Sequence, residues 1–217
     1  MPKWGIVLMA AVIAAWVGLL VTPVFAKPAL VEVTGQTKCW DPTDTRIPIA
    51  EIDCSSSAAT GQDGEIQAGV PFPTPRFSDK GNGTVTDNLT NLIWLKNANC
   101  FGGQTWANAL TAANNLHDTG TPSTTDDCGL SDGSVAGAWR LPNVKELQSL
   151  IDFGFFNPAL SNAAGTAKWT EGDAFSGVQS SDYWSSTTLA DLPVSAWLVV
   201  LNVGLTLALV KDITLLV

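Results

Sequence analysis

The sequence predicts an α+β fold, in which strands come before and after two helices. Short runs with alternating polarity occupy 76–95, apolar stripes with helical spacing follow between 105 and 151, and an apolar run suited to strands covers 196–217. The chain has 217 residues, 46% of them hydrophobic and only 14% charged. It is therefore large enough for one ordinary domain or at most two small ones, and an intrinsically disordered protein is excluded.

The charge balance argues against nucleic-acid binding. The chain has 20 acidic and 11 basic residues, for a net charge of −9. Proteins that bind nucleic acids need an excess of Lys and Arg to displace counterions from phosphate. We therefore expect no nucleic-acid partner. We also expect no cofactor, and a single His in the chain leaves few acid–base enzymes to consider.

Residues 1–26 have the features of a secretory signal peptide. Lys3 precedes an uncharged and mostly apolar stretch that Pro23 interrupts, and small residues lead up to Ala26. We predict cleavage after Ala26 and a location in the periplasm, on the cell surface or outside the cell. An uncleaved N-terminal anchor is the alternative, because the stretch is nearly long enough to span a bilayer.

Four cysteines follow the signal peptide, namely Cys39, Cys54, Cys100 and Cys128. Export brings them into an oxidising environment, where an even number of cysteines favours disulfides. Three pairings are possible. We predict Cys39 with Cys54 and Cys100 with Cys128, because this pairing closes the shorter loops. A zinc site would need closely spaced pairs such as CxxC, and the sequence has none.

The exported part divides into a leader and a main domain. Residues 27–75 have no helical period and many turn formers, so we predict an irregular leader that is linked by one disulfide. The main domain covers 76–217. Its first runs alternate on either side of the turn at 80–83, and another short run follows at 92–95, which predicts a hairpin or meander of short strands.

Two helices are predicted after the meander. The first covers 105–117, with Thr105 as its N-cap. Its buried stripe consists of Trp106, Ala109, Leu110, Ala113 and Leu116. The second begins at Asn143, where Glu146 completes a capping box, and ends before Gly154. Its buried stripe consists of Val144, Leu147, Leu150 and Ile151.

The stretch 194–210 carries no charged residue and allows two interpretations. A membrane-spanning helix would be at the lower limit of length and would place Asn202 and Gly204 near the bilayer centre. The content of Val, Thr and Leu also suits strands that are buried on both faces. We predict strands, and no membrane span in the mature chain.

Three motifs occur in an order that resembles the Lcl C-terminal domain family. They are FSD at 77–79 with GTVTDNLT at 83–90 and LIW at 92–94, then WRLPNVKEL at 139–147, then YWSSTT at 183–188. The family's domain ends a bacterial collagen-like adhesin and recurs in many exported bacterial proteins. The resemblance covers roughly residues 34 to 217.

The resemblance implies a C-type-lectin-like fold, with two helices, short antiparallel strands and long loops, in the branch that includes the formylglycine-generating enzymes. It implies binding more than catalysis, so we expect an adhesin-like recognition module for a protein or a surface glycan. An oxidase of the formylglycine-generating kind, which would need free thiols, is one alternative. A structural protein of the cell envelope without a specific ligand is the other.

The end of the chain departs from the family pattern. Family members close with Tyr- and Asn-rich strands and a Trp-Pro-Val-Arg-like segment, whereas this chain is aliphatic over 198–207 and stops at Val217. We expect that the last few residues are missing. Some members are diversified by retroelements that convert AAY codons to NNY, and from 198 to 217 only Lys211 falls outside the NNY set. An apolar, strand-rich tail would show a similar bias by chance.

If the tail is diversified, alternate positions along its strands should lie largely on one face and bind the ligand. These positions are Leu198, Val200, Asn202, Leu205, Leu207, Leu209, Asp212 and Thr214. Trp169, in a loop beside Glu171 and Asp173, is the tryptophan that we expect to be exposed and to contact a ligand. We predict no catalytic residue, since His117 has no candidate nucleophile, and no metal site.

Overall fold

The structure is a computed structural model that describes residues 31–120 and 127–217; the predicted signal peptide, 1–26, lies outside the described residues. Within them the α-helices are α1 (Asp63–Ile66), α2 (Trp106–Asn115) and α3 (Val144–Gln148). The strands are β1 (Cys39–Trp40), β2 (Glu51–Ile52), β3 (Phe77–Asp79), β4 (Thr84–Asp87), β5 (Ile93–Leu95), β6 (Gly103–Gln104), β7 (Asp182–Thr188), β8 (Ser195–Val200), β9 (Leu205–Val210) and β10 (Leu215–Leu216). The fold is α+β, as the sequence predicts.

The leader has more regular structure than the sequence predicts. β1 and β2 pair antiparallel, a 3-10 turn covers Ser57–Ala59, and α1 adds one helical turn. Each of these elements has two to four residues, which is too short to leave a periodic pattern in the sequence. The predicted Cys39–Cys54 disulfide is confirmed and joins β1 to the chain just after β2.

The predicted meander is confirmed as the antiparallel sheet β3-β4-β5. Gly83 ends the turn between β3 and β4 with a φ of +83°, in the left-handed region that favours glycine. A Cβ atom at Gly83 would lie 2.4 Å from the carbonyl oxygen of Gly129, so this turn also packs tightly against a distant loop.

A buried ion pair connects the start of the main domain to the meander. Arg76 and Asp87 are both fully buried, and the Nε of Arg76 donates to Oδ1 of Asp87 at 3.0 Å. The rings of Phe72 and Phe77 lie 4.5 and 4.8 Å from the guanidinium carbon. Asp87 also accepts a hydrogen bond from the hydroxyl of Thr90, so the DNLT motif serves to hold this carboxylate in place.

Both predicted helices form, and the second is shorter than predicted. α2 follows Thr105, although that side chain makes no capping hydrogen bond. α3 begins with the predicted capping box between Asn143 and Glu146. It ends at Gln148 rather than near Gly154, because the next residues form tighter turns with bonds to carbonyls three residues back.

A five-stranded sheet, in the order β6-β10-β7-β8-β9, forms the centre of the main domain. Trp184 and Leu198 are paired across β7 and β8 and pack with α2 on one face. Tyr183 and Val199 are the next pair and face the other core cluster, which includes side chains of α3 and the meander. The aliphatic tail therefore forms strands, as predicted. In the described part of the chain, no helix has the length and apolar character that crossing a membrane requires.

The second disulfide, Cys100–Cys128, is also confirmed. It lies with Leu116 and Leu130 in a third apolar cluster beyond the end of α2. The disulfide thus fixes the long connection between the helices to the core.

Candidate ligand-binding surface

β9 forms one edge of the central sheet. It pairs with β8 in a continuous register from Leu205↔Val200 to Val210↔Ser195, without a bulge. No other described strand pairs with its outer side. β9 contains no charged residue and no proline, the features with which proteins usually block an exposed strand edge.

The backbone groups on the outer side of β9 can be assigned from the hydrogen-bond pattern. Leu201 N donates to Ser181 O, and Lys211 N donates to Val194 O. Because bonding direction alternates along antiparallel strands, every second residue of β9 bonds to β8 and the others point outward. The outward-pointing residues are Thr206, Ala208 and Val210.

Exposed aliphatic side chains surround this edge. We call the set the C-terminal apolar surface; its members lie on β9 and on the three turns beside it and are each 37–61% exposed. They are Leu192, Val194, Val203, Leu205, Leu207, Val210 and Ile213. Scattered exposed aliphatics are ordinary, whereas a group of them along one strand edge is typical of an interaction site.

On β8 and β9, the predicted tail positions lie on one face of the sheet, as expected, but most of these positions face the interior of the protein. The register places Leu198 opposite Leu207 and Val200 opposite Leu205. Leu198 is fully buried against α2, and Val200 and Leu209 are partly buried in the same cluster. The expectation that Leu198 lies on an accessible face is therefore wrong, because α2 covers the inner part of the sheet and leaves only its edge open.

The remaining predicted positions lie at the two ends of the edge. Asn202 is exposed in the turn between β8 and β9, while Asp212 and Thr214 are exposed in the turn after β9. Together with Leu205 and Leu207, they are the predicted positions that a partner can reach.

Residues from outside the tail support the β8–β9 turn and enlarge the apolar surface. Asn157 N donates to Asn202 O at 2.7 Å, and a Cβ atom at Gly204 would lie 2.9 Å from the ring of Phe153. Phe153 is 43% exposed, so one partly exposed aromatic side chain lies beside the turn. No local sequence pattern connects Phe153 to the tail, because the two are distant along the chain.

A buried carboxyl group, that of Asp152, lies next to the residues that support the β8–β9 turn. Asp152 precedes Phe153, is almost fully buried and accepts a hydrogen bond from Gly154 N at 2.9 Å. Removal from water raises the pKa of Asp152 above its ordinary value. A Cβ atom at Gly35 would lie 2.0 Å from Oδ1 of Asp152, so the leader closes over this carboxyl group.

Trp169 lies away from the candidate surface. It is only 8% exposed, and its Nε1 donates to Phe175 O at 3.2 Å within the core. The expectation that Trp169 is exposed is wrong. The neighbouring acidic residues suggested a solvent-exposed loop, but the loop folds inward and satisfies the indole N–H.

The surface can offer apolar contacts and backbone hydrogen bonds. No charged side chain occurs from 192 to 210. Lys211, next to β9, is occupied within the chain, since its Nζ donates to Pro193 O at 2.8 Å and lies 3.9 Å from the centre of the Trp106 ring. Across 31–120 and 127–217, no three His, Cys, Asp or Glu side chains form a group that could hold a metal ion.

The Lcl C-terminal domain family model matches residues 83–214, more than half of the chain. The match includes α2, α3 and the strands that form the candidate surface. No curated protein and no solved structure matches the chain.

Proposed function

The chain belongs to the Lcl C-terminal domain family, and we propose that it is an exported, non-catalytic recognition module that binds another protein through the C-terminal apolar surface. The observation that carries the proposal is the open edge of β9, with its uncharged strand and exposed aliphatic side chains.

The composition of the surface favours a protein over a glycan as the ligand. Sugars are bound through several polar side chains that hydrogen-bond their hydroxyl groups, and β9 offers only Thr206 for this purpose. An extended protein segment could instead pair with the outward backbone groups of β9 and place apolar side chains over Leu205 and Leu207. We therefore propose recognition by strand addition.

The C-type-lectin-like fold and export are parts of the same proposal. The α+β architecture, with short strands and long loops, is compatible with that fold. Two disulfides support an oxidising compartment and hence export. Diversification of the tail also stays a prediction, and among its eight positions the burial of Leu198 leaves that residue without access to a ligand.

Each alternative has a feature that counts for or against it. An oxidase of the formylglycine-generating kind would need reactive thiols, and all four cysteines of the sequence form disulfides. A structural envelope protein without a ligand has no need for an unblocked strand edge, which the folded state exposes to aggregation. We therefore prefer the recognition module.

The test is a pair of binding screens with the full chain after signal-peptide removal. A displayed library of random peptides and a glycan array are each screened against the wild type, against Leu205→Asp/Leu207→Asp, and against a control, Ile66→Asp/Val135→Asp. The control also places two charges on exposed aliphatic positions, but outside the C-terminal apolar surface.

We expect apolar peptides that bind the wild type and the control and lose at least tenfold in affinity for the Leu205→Asp/Leu207→Asp variant. Glycans that bind all three proteins equally would contradict the proposal, and so would peptides that do not distinguish the variant from the control. The absence of any binding in both screens would favour the structural envelope protein.

A further inference from the structure

The open edge of β9 is complementary to itself. The backbone groups of Thr206, Ala208 and Val210 point outward and meet no other described strand. When two such edges lie antiparallel around a two-fold axis, each outward N–H group faces a carbonyl oxygen of the other copy. Two copies of this chain can therefore satisfy the edge with the same residues from both sides.

One register satisfies the most outward groups. In it, Ala208 lies opposite Ala208 of the second copy, and Thr206 lies opposite Val210 in both directions. Each of these three pairs exchanges two backbone hydrogen bonds, so the contact has six in all. A shift by two residues in either direction moves one outward residue past the end of its partner strand and leaves only four bonds.

The same register brings apolar side chains together. Leu207 lies opposite Leu209 of the second copy, on the face of the sheet that packs against α2. Beyond the strand ends, position 203 comes level with position 213, so the exposed Val203 and Ile213 of the two copies lie close to each other. Cross-strand aliphatic pairs of this kind stabilise a sheet.

The charges near β9 do not oppose this contact. The chain has a net charge of −9, so two copies repel each other over most of their surface. No charged residue occurs from 192 to 210, and Lys211 directly follows β9. Lys211 lies opposite Leu205 of the second copy, which separates the two Lys211 residues by about 20 Å at about 3.4 Å per residue. Parallel pairing would instead place them side by side.

The far edge of the central sheet favours a second copy over an unrelated strand. An added peptide would leave its own outer edge unpaired, whereas two copies join their sheets through β9 and leave only β6 at each end. β6 consists of Gly103–Gln104 alone, and edge strands this short do not template further pairing. Association therefore stops at a dimer.

We propose that the C-terminal apolar surface binds a second copy of this chain, through antiparallel pairing of β9 with β9 around a two-fold axis at Ala208. This inference rests on the proposed function, because it names the partner of the same surface. The strand contact is short and belongs to the weak interfaces of less than about 1,200 Å², so we expect monomers at about 1 µM and dimers at about 1 mM.

Sedimentation velocity of the full chain after signal-peptide removal, from about 1 µM to about 1 mM, measures the association. The variant Leu205→Asp/Leu207→Asp should dimerise at least tenfold more weakly than the wild type, because it places charges in the contact. The control Ile66→Asp/Val135→Asp adds the same charge at exposed positions elsewhere and should dimerise like the wild type.

A charge-pairing experiment tests the two-fold axis. Ala208→Glu and Ala208→Lys each place like charges directly opposite each other, so each variant alone should dimerise weakly. An equimolar mixture pairs opposite charges and should associate at least about fivefold more tightly than either variant alone. Val210→Glu and Val210→Lys are the control pair, because their side chains face Thr206 and lie about 14 Å from each other, so mixing should restore little. Circular dichroism confirms that each variant is folded.

Several results would overturn the inference. One is a wild type that stays monomeric at about 1 mM, a measurement that needs no variant. Another is a dimer that Leu205→Asp/Leu207→Asp does not weaken relative to its control, and a third is equal restoration by the Ala208 and Val210 mixtures.

The outcome also separates this inference from the proposed function. A monomeric wild type that still binds peptides at β9 would overturn the inference alone. Dimers and peptides that are both insensitive to Leu205→Asp/Leu207→Asp would contradict the two together.

Discussion

Replacing Asp87 with Asn removes one charge from an ion pair that water cannot reach. Arg76 and Asp87 are fully buried, with N···O distances of 3.0 and 3.2 Å, and Arg76 also donates to Ser149 O at 2.7 Å. The substitution preserves the shape of the side chain. It leaves the Arg76 charge buried without its counterion.

The expected cost is about 3–5 kcal/mol, which is typical when one partner of a buried pair is removed. Domains of this size are stable by about 5–15 kcal/mol, so Asp87→Asn should lose a large part of the free energy of unfolding. Asp79→Asn provides the control. Its ion pair with Lys96 is about one-third exposed, and we expect a loss below about 1 kcal/mol.

Urea denaturation followed by tryptophan fluorescence measures both effects. The double variant Arg76→Met/Asp87→Asn should be more stable than Asp87→Asn alone, because it no longer buries an unpaired charge. A loss below about 1 kcal/mol for Asp87→Asn, or a double variant less stable than the single one, would refute this account of the pair.

Three further predictions concern stability. Gly83→Ala should lower the free energy of unfolding by more than about 2 kcal/mol, because a Cβ atom there meets a backbone carbonyl. Gly81→Ala should lower it by about 1 kcal/mol, because Gly81 has a φ of +71° but open space around it. Equal losses for the two variants in urea denaturation would contradict this. The raised pKa of Asp152 means that ionisation of this side chain opposes folding. The stability of Asp152→Asn relative to the wild type should therefore increase as pH rises above the ordinary pKa range of Asp. A difference in melting temperature between variant and wild type that is the same at pH 3 and pH 7 would contradict this. Replacing Cys100 and Cys128 with Ser should cost about 3–4 kcal/mol for the loop of 28 residues, and thiol titration of the unreduced wild type should find no free thiol.

Local patterns predicted most of the elements. The stripe of α2, the capping box of α3 and the meander depend on neighbours within a few residues, and each forms where the pattern places it. The sequence could not reveal β6 and β10, because strands of two residues have no period and form only when distant segments meet.

The accessible face of the tail could be predicted only in part. Alternation correctly placed Leu198, Leu205 and Leu207 on one side of the strands. Which of them is exposed depends on how far α2 extends across the sheet, and this is a tertiary contact that no local pattern encodes. Trp169 is a similar case, because its burial depends on an acceptor, Phe175 O, that the fold of a loop supplies.

The most direct test of the proposed function is amide hydrogen exchange of the full chain, alone and with a peptide selected by the display screen. Strand addition predicts that the peptide slows exchange at Thr206, Ala208 and Val210, whose N–H groups point outward from β9. Leu207 and Leu209, which already bond to β8, should change little. Slower exchange confined to the leader or α2, with the three edge amides unchanged, would contradict binding at this surface.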